Sequence, residues 1–279
     1  MPRGVVHSGR KCLTLARGTG DEMSISAVLL DIEGTTTPID FVYKTLFPYA
    51  RARLKDFIER HHADEGVRAI VAELFDEHAR EESTDVPALR RAGSSGEGEA
   101  ESIADYLRWL MDRDRKVTPL KTLQGLIWEE GYVSGELKGE VFPDVAPNLM
   151  RWRGEGKTVC IYSSGSVLAQ KLLFAHTEQG DLTKFIQDFF DTNVGHKAEP
   201  ESYTKIAEAL GRRPSEALFI SDVTTELDAA RAAGFQTLLC VRPGNQPQPS
   251  PSAHDMIHTF DEAGAFHLRP SQAKSHGEH

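Results

Sequence analysis

Cysteine is scarce in this chain of 279 residues. Cys12, Cys160 and Cys240 are odd in number and form no close pair, so neither a disulfide framework nor a cysteine-rich metal site is expected. Cys160 and Cys240 fall inside apolar runs and read as buried thiols. Such usage fits a reducing compartment, and a cytoplasmic location is expected. Long apolar runs are missing too. None approaches the roughly 18–20 residues that a bilayer span needs, so no membrane partner is expected. The N-terminal region also lacks the apolar segment of a secretory signal. Basic residues are outnumbered, 32 Lys and Arg against 42 Asp and Glu, for a formal net charge of −10. That balance argues against a nucleic-acid surface, which needs a basic patch. It leaves room for a phosphate substrate, because a few local cations can outweigh a distant net charge. No internal repeat is evident.

What remains is a chain able to build a core, with 39% hydrophobic residues. Five short apolar runs, 27–31, 158–163, 189–192, 217–222 and 237–241, read as strands. They are nearly continuous in apolar residues, as strands buried on both faces of a parallel sheet are. Helical spacing falls between them: Leu168, Leu172 and Ala175 share a face, Pro200 opens the next helix and Gly211 closes it, and Leu227, Ala230 and Arg231 lead to Gly234. The expected class is α/β, a doubly wound, mainly parallel, Rossmann-like sheet. About 125 residues separate the first two runs, too many for one crossover, and most show helical spacing: 41–58, Val67 to His78, Ile103 to Met111 and 118–128. The expected organisation is an α/β core of 23–39 and 140–262 with a helical cap of 40–139 that contains a loop over 84–100. Residues 1–22, which carry Arg3, Arg10, Lys11 and Arg17 before the first acid, read as a loose extension in preference to a transit peptide. The stretch 243–254 is rich in Pro, Gln and Ser and cannot nucleate a core. A short apolar patch over 256–260 is expected to dock again, and 263–279 reads as a flexible tail.

Chemistry collects at the ends of the runs. The first ends in "LLDIEGTTTP", residues 29–38. In extended chain Asp31 and Glu33 point the same way, and Gly34 permits a sharp turn. Two carboxyl groups at a strand end suit Mg2+ and phosphate, since Mg2+ takes oxygen ligands and keeps several waters. A capped strand with solvated acids is the plainer alternative. The second run ends "CIYSSGS", where Ser163, Ser164, Gly165 and Ser166 precede a helix, either as a phosphate cradle or as an ordinary N-cap. Lys197 in "GHKAEP" suits a phosphoryl group as a point charge, or is a solvated loop lysine. His196 beside it reads as incidental. The fourth run ends in Asp222, a candidate metal carboxylate. Glu226, one helical turn on, either supports that site or pairs with the helix dipole.

The order acid pair, Ser-x-Gly, Lys, Asp resembles the haloacid dehalogenase-like hydrolase superfamily, whose pattern runs Asp-x-Asp-x-Thr, Ser/Thr, Lys and an acidic motif. Asp31, Ser163, Lys197 and Asp222 occupy those places. Glu33 departs from it, standing where the phosphatases of the superfamily usually have Asp. The stretches "LLDIEGTTTPIDFVYKTLFPYA", "LKTLQGLIWEEGYVSGELKGEVFPDV", "IYSSGSVLAQKLLF", "FFDTNVGHKAEPESY" and "ISDVTTELDAARAAGFQT" narrow the likeness. Over about residues 25–244 they resemble the acireductone synthases, the enolase-phosphatases of methionine salvage.

That resemblance implies a small phosphorylated diketone as substrate, one Mg2+ per subunit and a monomer. It implies Asp31 as nucleophile, Glu33 as general acid/base, and Asp31, Asp222 and the backbone carbonyl of Glu33 as metal ligands. Ser163, the Ser164 N–H and Lys197 are expected to bind phosphate. The base for enolisation is not identified, with Glu33 the economical candidate, and "IWEEGY" reads either as a substrate wall or as a helix packing Trp128 inward. Thr35 is expected to support the turn or the site, while Thr36 and Thr37 have no assigned role. An ordinary phosphomonoesterase of the same superfamily is the alternative, and a non-enzymatic phosphate binder is disfavoured by the intact Asp31, Lys197 and Asp222.

Overall fold

The computed structural model describes residues 25–91, 98–115, 117–247 and 253–266. The expected extension at 1–22, the middle of the 84–100 loop and the tail beyond 266 lie outside the described residues. Six parallel strands form one sheet in the order β3-β2-β1-β4-β5-β6. They are β1 (Ala27–Leu30), β2 (Thr158–Tyr162), β3 (Asp188–Phe190), β4 (Ala217–Ser221), β5 (Gln236–Cys240) and β6 (Asp255–Ile257).

Side chains of β1 alternate between two cores. Val28 and Leu30 join one cluster. Ala27 and Leu29 join the other, with Tyr203, Phe219 and Leu227. This period of two on a strand buried throughout makes both faces of the sheet apolar, as helices on both sides require. Helices α8 (Pro200–Ala209) and α9 (Thr224–Ala232) cover the Leu29 face. Helices α6 (Val145–Gly154) and α7 (Val167–Ala175) cover the Leu30 face.

Three differences from the sequence reading have physical causes. The patch expected to dock again does so partly as the sixth strand, β6, paired with β5 through Cys240 and Ile257. Three residues with only Ile257 buried are too short for periodicity to mark as a strand. The third strand runs 188–190 and not 189–192, because Asp191 turns the chain by accepting from the Asn193 N–H. Asp31, Ser163 and Asp222 stand one residue past their strands, where their side chains leave the ladder.

The helices after β1 are α1 (Ile39–Phe41), a π turn over Val42–Leu46, α2 (Phe47–His61), α3 (Glu65–Ala79), α4 (Glu99–Asp112) and α5 (Thr118–Ser134). The single helix expected over 41–58 is therefore three joined pieces. The chain widens to π just before Pro48, whose missing N–H is tolerated in the first turn of α2. These helices share one continuous core with the Leu30 face of the sheet.

The two chain crossings between helices and sheet lie side by side, since the Phe142 N–H donates to Thr36 O at 3.0 Å. Arg242, just past β5, clamps them. It donates to Thr35 O at 3.1 Å, to both carboxylate oxygens of Asp144 at 2.9 Å and to His258 O at 2.8 Å. Its guanidinium also stacks on Phe142 and Phe260.

Candidate active site

Parallel strands place all their carboxyl ends on one edge, and that edge carries the chemistry. The register sets Leu30 beside both Ile161 and Ile220, so the residues following β1, β2 and β4 emerge together. Asp31 is buried and donates its N–H to Ile220 O at 3.0 Å. The next residues form a tight turn in which the N–H groups of Thr35, Thr36 and Thr37 all donate to Ile32 O.

Gly34 is required in that turn for two reasons. Its φ is +72°, and a Cβ there would run into the carboxylate of Asp222. The threonines hold the turn together. Thr35 Oγ1 donates to Asp31 Oδ2 at 3.4 Å, a long bond, and Thr36 Oγ1 donates to Asp31 O at 3.1 Å. The Thr37 carbonyl accepts from the Gly34 N–H at 2.8 Å. Thr36 and Thr37, without a role in the sequence reading, are thus backbone fasteners.

Lys197 is not a solvated lysine. It is 7% exposed, and its Nζ lies 2.5 Å from Asp31 Oδ1 and 2.6 Å from Glu226 Oε2. Burial pushes its ammonium down, but Asp31 and Glu226 together outweigh that and raise it. Its backbone is fixed as well, because the Tyr203 hydroxyl donates to Lys197 O at 2.7 Å. His196 is exposed and accepts only the Ala198 N–H through its ring, as its incidental reading requires.

Glu226 lies in the first turn of α9, as the dipole reading requires, and reaches the site through Lys197. It is the second anion on Lys197, and the Ser221 hydroxyl also donates to it at 3.1 Å. Burial and the Asp31 carboxylate push Glu226 up to about 7. Asp222 is pushed up to about 7 by burial, then by Asp31 and Glu226. Beyond burial, the carboxylates crowd one another, with Asp31, Asp222 and Glu226 facing the Lys197 ammonium. Asp222 Oδ1 is buried with no hydrogen-bond partner. An orphaned carboxylate oxygen beside surplus negative charge fits a divalent cation. Among the described residues no three His, Cys, Asp or Glu side chains enclose a metal by themselves. A cation here must complete its shell with backbone oxygen and water, which is the habit of Mg2+.

Ser163, also buried, accepts the Gly165 N–H on its hydroxyl at 3.2 Å. Ser166 caps α7 by accepting from Ala169 N–H at 3.3 Å. Residues 163–166 and Glu33 line one cavity of about 670 Å³. The helices after β1 supply much of its remaining wall, Tyr43, Phe47, Lys121, Gln124 and Trp128 among them, and α7 adds Ala169, Gln170 and Leu173. Trp128 packs inward, with Nε1 donating to Leu46 O at 2.9 Å, and it also lines the cavity. Sequence reasoning assigned no role to Tyr43, Lys121 or Gln124. The spacing of Lys121, Gln124 and Trp128, one helical face, was the available signal.

Comparison with known proteins agrees with this geometry. The model of haloacid dehalogenase-like hydrolases matches residues 25–234. A protein of Synechococcus elongatus named enolase-phosphatase E1 is 50% identical over 240 residues, 86% of this chain and 98% of that one. The enolase-phosphatase E1 of Drosophila mojavensis is 48% identical over 81% of this chain and 89% of its own. Among solved structures, the UTR4 protein of Saccharomyces cerevisiae superposes with a TM-score of 0.70 at 36% identity, covering 85% of this chain and 99% of that one. The chain belongs to the enolase-phosphatase E1 family of haloacid dehalogenase-like hydrolases.

Proposed function

We propose that the protein is an acireductone synthase acting in methionine salvage, which enolises 2,3-diketo-5-methylthiopentyl 1-phosphate and then removes its phosphate. The observation that carries this reading is the meeting of two features: Asp31 paired with buried Lys197, and Glu33 on the wall of a cavity that helices roof over. The first suits phosphoryl transfer, and the second gives a carboxylate access to a substrate carbon.

In this reading Asp31 attacks phosphorus and forms an aspartyl-phosphate while the phosphorus–ester oxygen bond breaks. Lys197 offsets the charge that gathers on nucleophile and phosphoryl oxygens. Glu226 keeps the ammonium charged and aimed at Asp31. The Ser163 hydroxyl and Ser164 N–H grip phosphate oxygens at the start of α7. Glu33 protonates the leaving oxygen and later activates the hydrolytic water. It is also the economical base for the carbon proton in the earlier step. The carboxylates of Asp31 and Asp222 with the Glu33 carbonyl would hold Mg2+, one per subunit, which when bound neutralises phosphate charge. Residues 40–139 form the cap, the core being 23–39 and 140–262. The free, buried thiols of Cys160 and Cys240 suit a cytoplasmic enzyme, and a monomer is proposed. Among the described residues no helix is long and apolar enough to cross a membrane.

The test follows the diketo phosphate by ultraviolet absorbance and by phosphate release. A transient enol signal preceding phosphate is expected. Phosphate without any enol signal would leave a phosphomonoesterase and sink the enolase half.

A further inference from the structure

The cavity wall contains several cations, and one is set apart by its partners. Arg51 pairs with Asp112 at 2.9 Å, Arg115 pairs with Glu81 at 3.0 Å, and Arg113 pairs with Asp85 and lies over the Trp109 ring. Lys121, in the first turn of α5, instead reaches across from the helices to the core. Its Nζ donates to the Ser164 backbone carbonyl at 3.3 Å. An ammonium has three donors, and that carbonyl takes one. The position costs stability, because a cation in a helix's first turn faces the positive end of the dipole. A lysine held there against the dipole, at the residue whose N–H is assigned to phosphate, asks for an anionic or polarised oxygen as partner.

The substrate supplies one. Once phosphate is seated on Ser163 and Ser164, the adjacent ketone at C2 is separated from the ester oxygen by C1 alone. It therefore falls within a lysine's reach of Ser164. We propose that Lys121 is a catalytic residue of the enolisation, a role that rests on the function proposed above. The C1–H bond breaks and its proton passes to the Glu33 carboxylate. The electron pair left behind forms the C1–C2 double bond, and the C2–O π pair moves onto oxygen. Lys121 stabilises that oxygen and gives it a proton, which the resulting amine regains from water. The carbon base and the oxygen acid thus come from different elements lining one cavity, Glu33 from the turn after β1 and Lys121 from α5.

The experiment compares the parent, Lys121→Met and Lys121→Arg on two substrates, the diketo phosphate and p-nitrophenyl phosphate. The second has no carbonyl beside its ester. In Lys121→Met the rate of enol appearance is expected to fall by about 100-fold or more. Turnover of p-nitrophenyl phosphate is expected to fall by a much smaller factor. Lys121→Arg keeps the charge and is expected to recover at least about a tenth of the parent enol rate. Equal losses on both substrates would reduce Lys121 to a support for the phosphate loop and overturn the proposal. So would an enol rate in Lys121→Met within threefold of the parent, or an arginine variant as slow as the methionine one. A parent that yields no enol at all overturns the function itself, and that outcome is read before any variant is made.

Discussion

The Nζ of Lys197 stands 2.5 Å from Asp31 Oδ1, although 166 positions separate the two residues. Their partnership predicts paired kinetic effects. Asp31→Asn removes the proposed nucleophile and is expected to lower phosphate release by more than about 1,000-fold. Lys197→Met leaves Asp31 in place but removes its counter-charge, and a loss of about 100- to 1,000-fold is expected. A phosphate-release assay decides both, and Asp31→Asn within tenfold of the parent would remove Asp31 from the nucleophile's role.

Glu33 is tested by geometry against chemistry. Glu33→Asp keeps an ionisable carboxyl one methylene shorter, whereas Glu33→Gln keeps the length and loses the proton. If Glu33 carries protons, the Asp variant turns over faster. Equal turnover of the two would mean that the side chain moves no proton.

Gly34→Ala is expected to damage stability and activity together. The φ of +72° costs an alanine about 1–2 kcal/mol, and the added Cβ meets the Asp222 carboxylate. For a chain of this size each kcal/mol lowers the melting temperature by about 2–4 °C. Calorimetry alongside the activity assay would show both losses. An alanine variant as active as the parent would mean that Asp222 can shift without consequence.

Asp222 predicts a metal-dependent melting temperature. Mg2+ at about 100 times its dissociation constant stabilises by about 2.7 kcal/mol. Addition of chelator is expected to reverse the rise. Asp222→Asn is expected to abolish it while melting no lower than the metal-free parent, since it removes a buried carboxylate crowded by Asp31 and Glu226. A full Mg2+ response in Asp222→Asn would place the metal elsewhere.

Arg242 predicts a large stability loss without any contact with substrate. Its side chain is 3% exposed and that of its partner Asp144 is 11% exposed. Arg242→Met leaves a buried carboxylate without its ion partner, a cost of about 3–5 kcal/mol. The double variant with Asp144→Asn is expected to recover part of that, and chemical denaturation of the four proteins measures the coupling. Fully additive losses would mean that the pair does not act as a unit.

Most of the edge was legible early, because a strand's carboxyl end is a local property. Asp31, Ser163 and Asp222 each follow an apolar run directly, and parallel strands bring such ends together whatever the intervening length. The Glu33 departure and the long stretches around it carried the family. Strand β6 was not legible, since three residues with one buried side chain carry no period. Arg242 was missed for a different reason. Nothing in its neighbourhood marks one arginine among the 32 basic residues until Thr35 and Asp144 surround it.

By itself the sequence determined the α/β alternation, the helical insertion after β1 and the residues Asp31, Ser163 and Asp222 at the strand ends, because periodicity and turn residues act over a few positions. Tertiary structure alone decided that Lys197 is buried between Asp31 and Glu226, that Asp222 crowds Gly34, and that Lys121 reaches Ser164. Each depends on charges and atoms brought together from distant parts of the chain. "LLDIEGTTTP" supplied Asp31 and its turn, and the fold supplied the counter-charge, the orphaned Asp222 oxygen and the roof.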